Sequence, residues 1–161
     1  MIKLSKRQVK GILDTLKQQR QFRPALSTMR LRNGYLYLTD GYILIRMSIE
    51  DTHTDLEIPY NKLERWYKLA GTSDKLDEIM LIDPTLCNSE NEYQYPEIEK
   101  LYELKEDGAK KDELVFDTEK LDRISRILGT NQVKITRYTD RYEVKPCDPK
   151  INGTAILMGI N

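Results

Sequence analysis

Cysteine is nearly absent from this sequence: Cys87 and Cys147 are the two, they lie far apart, and neither belongs to a CxxC pair. That excludes a zinc ribbon and a disulfide framework, and it points to reduced thiols in a cytoplasmic protein. Long hydrophobic runs are missing too. No stretch approaches the roughly eighteen apolar residues of a membrane span, and Met1-Ile2-Lys3-Leu4-Ser5-Lys6-Arg7 turns charged too soon for a signal peptide. Net charge is zero, with 26 Lys plus Arg against 26 Asp plus Glu. This argues against a simple polycationic nucleic-acid binder but leaves a basic face open. There is no Ser, Gly or Pro tract of the kind that marks disorder, and no GxxxxGK[ST] or GxGxxG phosphate loop.

What the 161 residues do contain is periodicity. Ile2-Lys3-Leu4 alternates as a short strand, and Ser5 offers an N-cap to a helix through about Gln19, with Val9, Ile12, Leu13 and Leu16 on one stripe. Three strands follow: Met29 to Arg32, Tyr35 to Leu38 across an Asn33-Gly34 hairpin turn, and Tyr42 to Ile49 across Asp40-Gly41. Leu56-Glu57-Ile58 reads as a strand, and Asn61 as the cap of a helix that Gly71 stops. Glu78 to Ile82 reads as a strand, Tyr93 to Tyr95 as a strand, and Glu97 to Leu104 as a short helix. Leu114-Val115-Phe116 is a strand, Asp117 or Thr118 caps a helix ended by Gly129, Val133 to Tyr138 and Tyr142 to Lys145 form a hairpin, and Thr154 to Ile160 closes the chain. The fold class is α+β, a single domain over 1–161 made of repeated strand–helix–antiparallel-sheet units at about 1–55, 56–105 and 113–161.

The repeat rests on a gap-free match. Lys62-Leu63-Glu64-Arg65-Trp66-Tyr67-Lys68-Leu69-Ala70-Gly71-Thr72 aligns with Lys120-Leu121-Asp122-Arg123-Ile124-Ser125-Arg126-Ile127-Leu128-Gly129-Thr130. At about 100° per residue, Lys120, Arg123 and Arg126 fall opposite the apolar stripe, as do Lys62, Arg65 and Lys68. Lys6, Lys10 and Lys17 form a basic stripe on the first helix. An ordinary solvated face explains part of this pattern, because Glu64 and Lys68, and Asp122 and Arg126, are i,i+4 partners.

With these features the chain resembles the DNA sliding-clamp fold, in particular the bacterial DNA polymerase III beta-subunit family. The stretches that carry the resemblance are Asn33 to Gly41, Leu56 to Gly71, Tyr95-Pro96, and Thr154 to Ile160, although Met158-Gly159 stands where the family usually has Met-Pro. The resemblance implies helices that line a central hole and sheets that form the outer wall. It implies a non-enzymatic accessory protein of DNA replication or recombination, a processivity factor that acts as an oligomer, needs no cofactor and meets the duplex backbone and other replication or recombination proteins. The nine cations above would then neutralise phosphates without reading bases. Clamps also carry an apolar pocket for partner peptides, to which no residue here is assigned. A full subunit has six half-units where this chain offers about three, a size that suits a small phage or prophage protein.

Two other classes fit parts of the sequence. A protein-binding module, such as a phage protein that engages a host replication factor, needs no basic face. A metal-dependent nuclease would use Asp51, His53 and Asp55, which alternate and would share one face of a strand; a polar turn accounts for the same letters. Tyr35, Tyr37, Tyr42, Trp66 and Tyr67 form a candidate base-stacking set, although such aromatics also serve as packing.

Overall fold

In the computed structural model, which describes residues 1–50, 55–70, 75–83, 95–102, 116–138 and 141–158, strand β1 (Ile2–Ser5) runs straight into helix α1 (Lys6–Gln19). Ser5 sets that junction. Its hydroxyl accepts from the Gln8 N–H and the Gln8 side chain accepts from the Ser5 N–H, a reciprocal capping box. The predicted stripe of Val9, Ile12, Leu13 and Leu16 is buried. A meander follows, made of β2 (Thr28–Arg32), β3 (Tyr35–Thr39) and β4 (Ile43–Ser48). Asn33 and Gly34 turn between the first two with φ of 52° and 77°, the geometry of a two-residue hairpin. Asp40 fixes the next corner by accepting from the N–H groups of Tyr42 and Ile43 at 2.8 and 2.9 Å.

Strand β5 (Leu56–Pro59) leads into α2 (Tyr60–Leu69), and then come β6 (Ile79–Ile82) and a short 3-10 turn at Glu99–Tyr102. The last third holds α3 (Thr118–Leu128), β7 (Val133–Arg137), β8 (Arg141–Pro146) and β9 (Thr154–Met158). Asp117 caps α3 through the N–H groups of Glu119 and Lys120, and Gly129 closes it in the left-handed region at φ 73°. Some boundaries differ from the sequence reading. Asn61 is not the cap of α2: Pro59 occupies that position with no side-chain cap, and Asn61 accepts from the Lys62 N–H instead. Proline's fixed φ and missing N–H suit an abrupt passage from strand to helix. The helix expected over Glu97 to Leu104 is a single 3-10 turn within the described residues, and Tyr95 and Phe116 lie outside any strand. Residues 71, 93, 94, 103, 104, 114, 115, 159 and 160, on which parts of those expectations fall, lie outside the described residues.

The main sheet has the order β5-β2-β3-β4-β9-β8-β7, antiparallel throughout, and β1 pairs with β6 in a separate two-stranded ribbon. From either side of the β4–β9 pair the meander part of this order reads the same, β4-β3-β2 against β9-β8-β7. The units repeated in the fold are therefore α1 with β2–β4 and α3 with β7–β9, with α1 packed on α3. The gap-free sequence match is instead between α2 and α3, and α2 is followed, among the described residues, by β6 alone. Alternation sorts the sheet's two faces. Leu36, Leu38, Ile45, Met47, Val144 and Ala155 meet the helices in the main core, while Tyr37, Leu44 and Ile156 pack on the far face under Tyr95 and Ile98.

Candidate nucleic-acid interface

Each helix buries one face against the sheet, so its opposite face is what it offers to a partner. Helix α1 lies between the other two, packed against both α2 and α3. Its outer face carries Lys10 and Lys17, both exposed. Arg20, just past its end and also exposed, lies over the Tyr60 ring at 4.7 Å. On α2, Arg65 and Lys68 are exposed and Lys62 is half-buried. Lys10, Lys17, Arg20, Lys62 and Arg65 have no carboxylate partner among the described residues, whereas Lys68 is held by Glu64 at 3.3 Å. The Tyr60 hydroxyl donates to the same Glu64 at 2.8 Å. That hydrogen bond, with Lys68 beside it, holds the Glu64 carboxyl below its ordinary range.

The basic residues of α3 and the start of α1 are placed differently. Arg123 is not a surface cation. It is 4% exposed, and its guanidinium donates to Asp40 Oδ2 at 3.3 Å, Gln18 Oε1 at 3.2 Å and Glu119 Oε1 at 3.3 Å. Arg126 donates to Asp122 at 3.0 Å and Asp14 at 3.2 Å, bridging α3 to α1. Lys120 stands over the Tyr42 ring at 4.1 Å, with Asp117 at 3.9 Å. Lys6 is 3% exposed and pairs with Glu78 at 3.0 Å. Lys6 and Arg123 are thus buried in ion pairs and Lys120 and Arg126 are half-buried beside carboxylates, whereas Lys10, Lys17, Lys62 and Arg65 on α1 and α2 have no carboxylate partner among the described residues. Arg20 was missed by the helical-stripe reading because it falls just beyond the last turn. Its signal is the aromatic Tyr60, which only the packing of α1 on α2 brings near.

Asp51 and His53 lie outside the described residues, and Asp55 stands 3.9 Å from the Arg32 guanidinium. Among the described residues no group of three His, Cys, Asp or Glu side chains is placed to hold a metal ion. The aromatic set does not share a surface. Tyr35 and Tyr37 are on the far face of the sheet, Trp66 and Tyr67 pack partly into the main core, and Tyr42 sits under Lys120. No helix of the described residues is long and apolar enough to cross a membrane.

No protein-family model and no curated protein matches this sequence. Among solved structures, the chain is similar to the crystal structure of the DNA polymerase III beta subunit from Thermotoga maritima, with a TM-score of 0.50 at 8% sequence identity. The similarity takes in 99% of this chain and 64% of that one, so the chain spans less than two thirds of that subunit's length. At this identity the likeness concerns the fold, and the chain has a mixed α+β, clamp-like fold of helices layered on antiparallel sheet.

Proposed function

We propose that this chain is a non-enzymatic, clamp-like accessory protein of DNA replication or recombination that meets the duplex backbone through α1 and α2. One observation carries the reading: Lys10, Lys17, Arg20, Lys62 and Arg65 stand on or just past two neighbouring helices without carboxylate partners among the described residues, in a fold similar to a DNA polymerase III beta subunit. Lysine and arginine on a helical layer neutralise phosphates and release counterions, which gives salt-sensitive, sequence-independent binding and calls for no reacting group. The globally neutral charge fits this, because the acids are gathered elsewhere: α1 and α2 contain one each, Asp14 and Glu64. The reading places the protein in the cytoplasm with its DNA.

Self-association belongs to the same reading. The outer side of the β1–β6 ribbon shows two apolar side chains, Ile79 58% and Leu81 48% exposed, opposite Ser5 and Lys3. A ring or partial ring built from so short a chain needs further copies or other replication proteins. Sedimentation is expected to give a mass above that of one chain at high concentration; a clean monomer there contradicts stable assembly. For DNA, Lys62→Glu combined with Arg65→Glu is expected to lower duplex affinity by about tenfold or more at low salt. Unchanged affinity would mean that the helix face does not bind DNA.

A further inference from the structure

The sheet face turned away from the helices holds a cavity of about 330 Å³ between β3, β4, β8 and β9. Its lining is polar. Arg46 and Thr154 are direct cross-strand partners there, as are Tyr35 and Ser48, and Lys145, Asp148 and Asn152 complete the rim. Arg46 is pre-positioned: its guanidinium lies over the Tyr35 ring at 5.0 Å and the Tyr102 ring at 4.4 Å. Cation–π contacts of this kind fix the plane of the group, and part of its N–H edge is shared with the Tyr37 hydroxyl. Arg46 has no carboxylate partner among the described residues, and the side chains of Ser48, Asn152 and Thr154 make no hydrogen bond among them either.

The other charges of the cavity decide what fits. Lys145 is held by Glu143 at 3.0 Å. Asp148, at the rim, accepts from the Lys150 N–H at 2.9 Å. Arg46 and Lys145 are balanced by Glu143 and Asp148, so the cavity has no excess of positive charge to hold a dense dianion. A single planar carboxylate matches an arginine fork and needs no second cation.

We infer that this cavity is a carboxylate-binding site for a partner protein, in which Arg46 takes the carboxylate and the Ser48, Asn152 and Thr154 side chains line its approach. The site lies on the opposite face from α1 and α2, so a partner held here leaves the proposed DNA face open. The carboxylate comes from an acidic side chain or from a chain terminus, and two small probes separate these sources.

The test is an NMR titration of the ¹⁵N-labelled full chain with N-acetylglutamate α-amide, N-acetylglycine and inorganic phosphate in turn. The inference predicts saturable shifts at the Arg46 side-chain N–H and the Asn152 and Thr154 amides with at least one carboxylate; the tighter of the two names the source. Arg46→Lys, which keeps the charge but loses the fork, is expected to weaken that carboxylate about tenfold with the rest of the spectrum unchanged. Asp148→Asn, an exposed change that leaves the fold alone, is expected to tighten it by about two- to fivefold, and this variant decides the matter if the first does not fold. Duplex affinity stays the same in both. Phosphate binding tighter than either carboxylate, no saturable shift at these groups, or an affinity indifferent to Asp148→Asn overturns the inference.

Discussion

Arg65 and Arg123 hold the same position in the two matched helical segments and have opposite fates. Arg65 is exposed with no carboxylate partner among the described residues, while Arg123 is buried against Asp40. The difference lies in the partner, since Asp40 is 83 positions away from Arg123 in sequence. Asp40 has one carboxylate oxygen committed to the backbone corner between β3 and β4 and the other to Arg123. Removing the guanidinium leaves a buried carboxylate uncompensated. Arg123→Met is therefore expected to cost about 3–5 kcal/mol in urea denaturation, and Arg65→Met to stay within about 0.5 kcal/mol. Equal costs at the two positions contradict the assignment. The tyrosines of the far face titrate in a way that reports their packing. Burial pushes the hydroxyls of Tyr37, Tyr95 and Tyr102 above the ordinary 10.0. With folded values raised, the unfolded chain ionises first. The stability these groups confer is complete below pH 10 and drains away as pH rises beyond it. Tyrosinate absorbance is expected to show at least these three of the ten tyrosines appearing only with alkaline unfolding; ten tyrosines titrating together near the ordinary value would contradict it.

At the scale of elements, local chemistry was legible and long-range pairing was not. Ser5, Asn33-Gly34, Asp117 and Gly129 mark their helix ends and hairpin through contacts within a few residues, and the structure has them where the sequence puts them. Asn61 misled because it resembles a cap while Pro59 already supplies an extended-to-helical junction. The pairing of β4 with β9, and the packing of Tyr95 and Ile98 on the far face of the sheet, join segments distant in sequence and leave no local pattern. The same holds for the α1–α3 contact, where Gly11 lets the helices approach. A Cβ at that position would stand 2.8 Å from Ile127 Cγ1, and Ile127 is fully buried and has no room to give. Alanine gains about 1 kcal/mol of helix propensity over glycine, but overpacking costs about 1–3 kcal/mol. Gly11→Ala is expected to lower the urea midpoint, and a raised midpoint would mean that the helices do not meet there.

For the whole molecule, the repeat in the fold and the repeat in the sequence are offset. The meander units belong to α1 and α3 and meet at β4 and β9, whereas the matched letters belong to α2 and α3. The offset explains why Arg65 of one matched helix faces solvent while Arg123 and Arg126 of the other meet Asp40 and Asp14 from other elements. Four of the five candidate residues, all but Arg20, were thus legible as helical periodicity; which helical cations the fold sets against acidic neighbours was not. A neutral chain becomes a molecule with a basic outer face on α1 and α2 and a separate polar cavity behind the sheet. The measurement that tests this most directly is duplex affinity as a function of salt, for the natural chain and for Lys62→Glu with Arg65→Glu. Four to five phosphate contacts predict a log–log slope of about −4 for each chain bound, falling in magnitude by about 2 in the variant. A slope near zero, or the same slope in both proteins, would contradict a DNA-binding face on these helices.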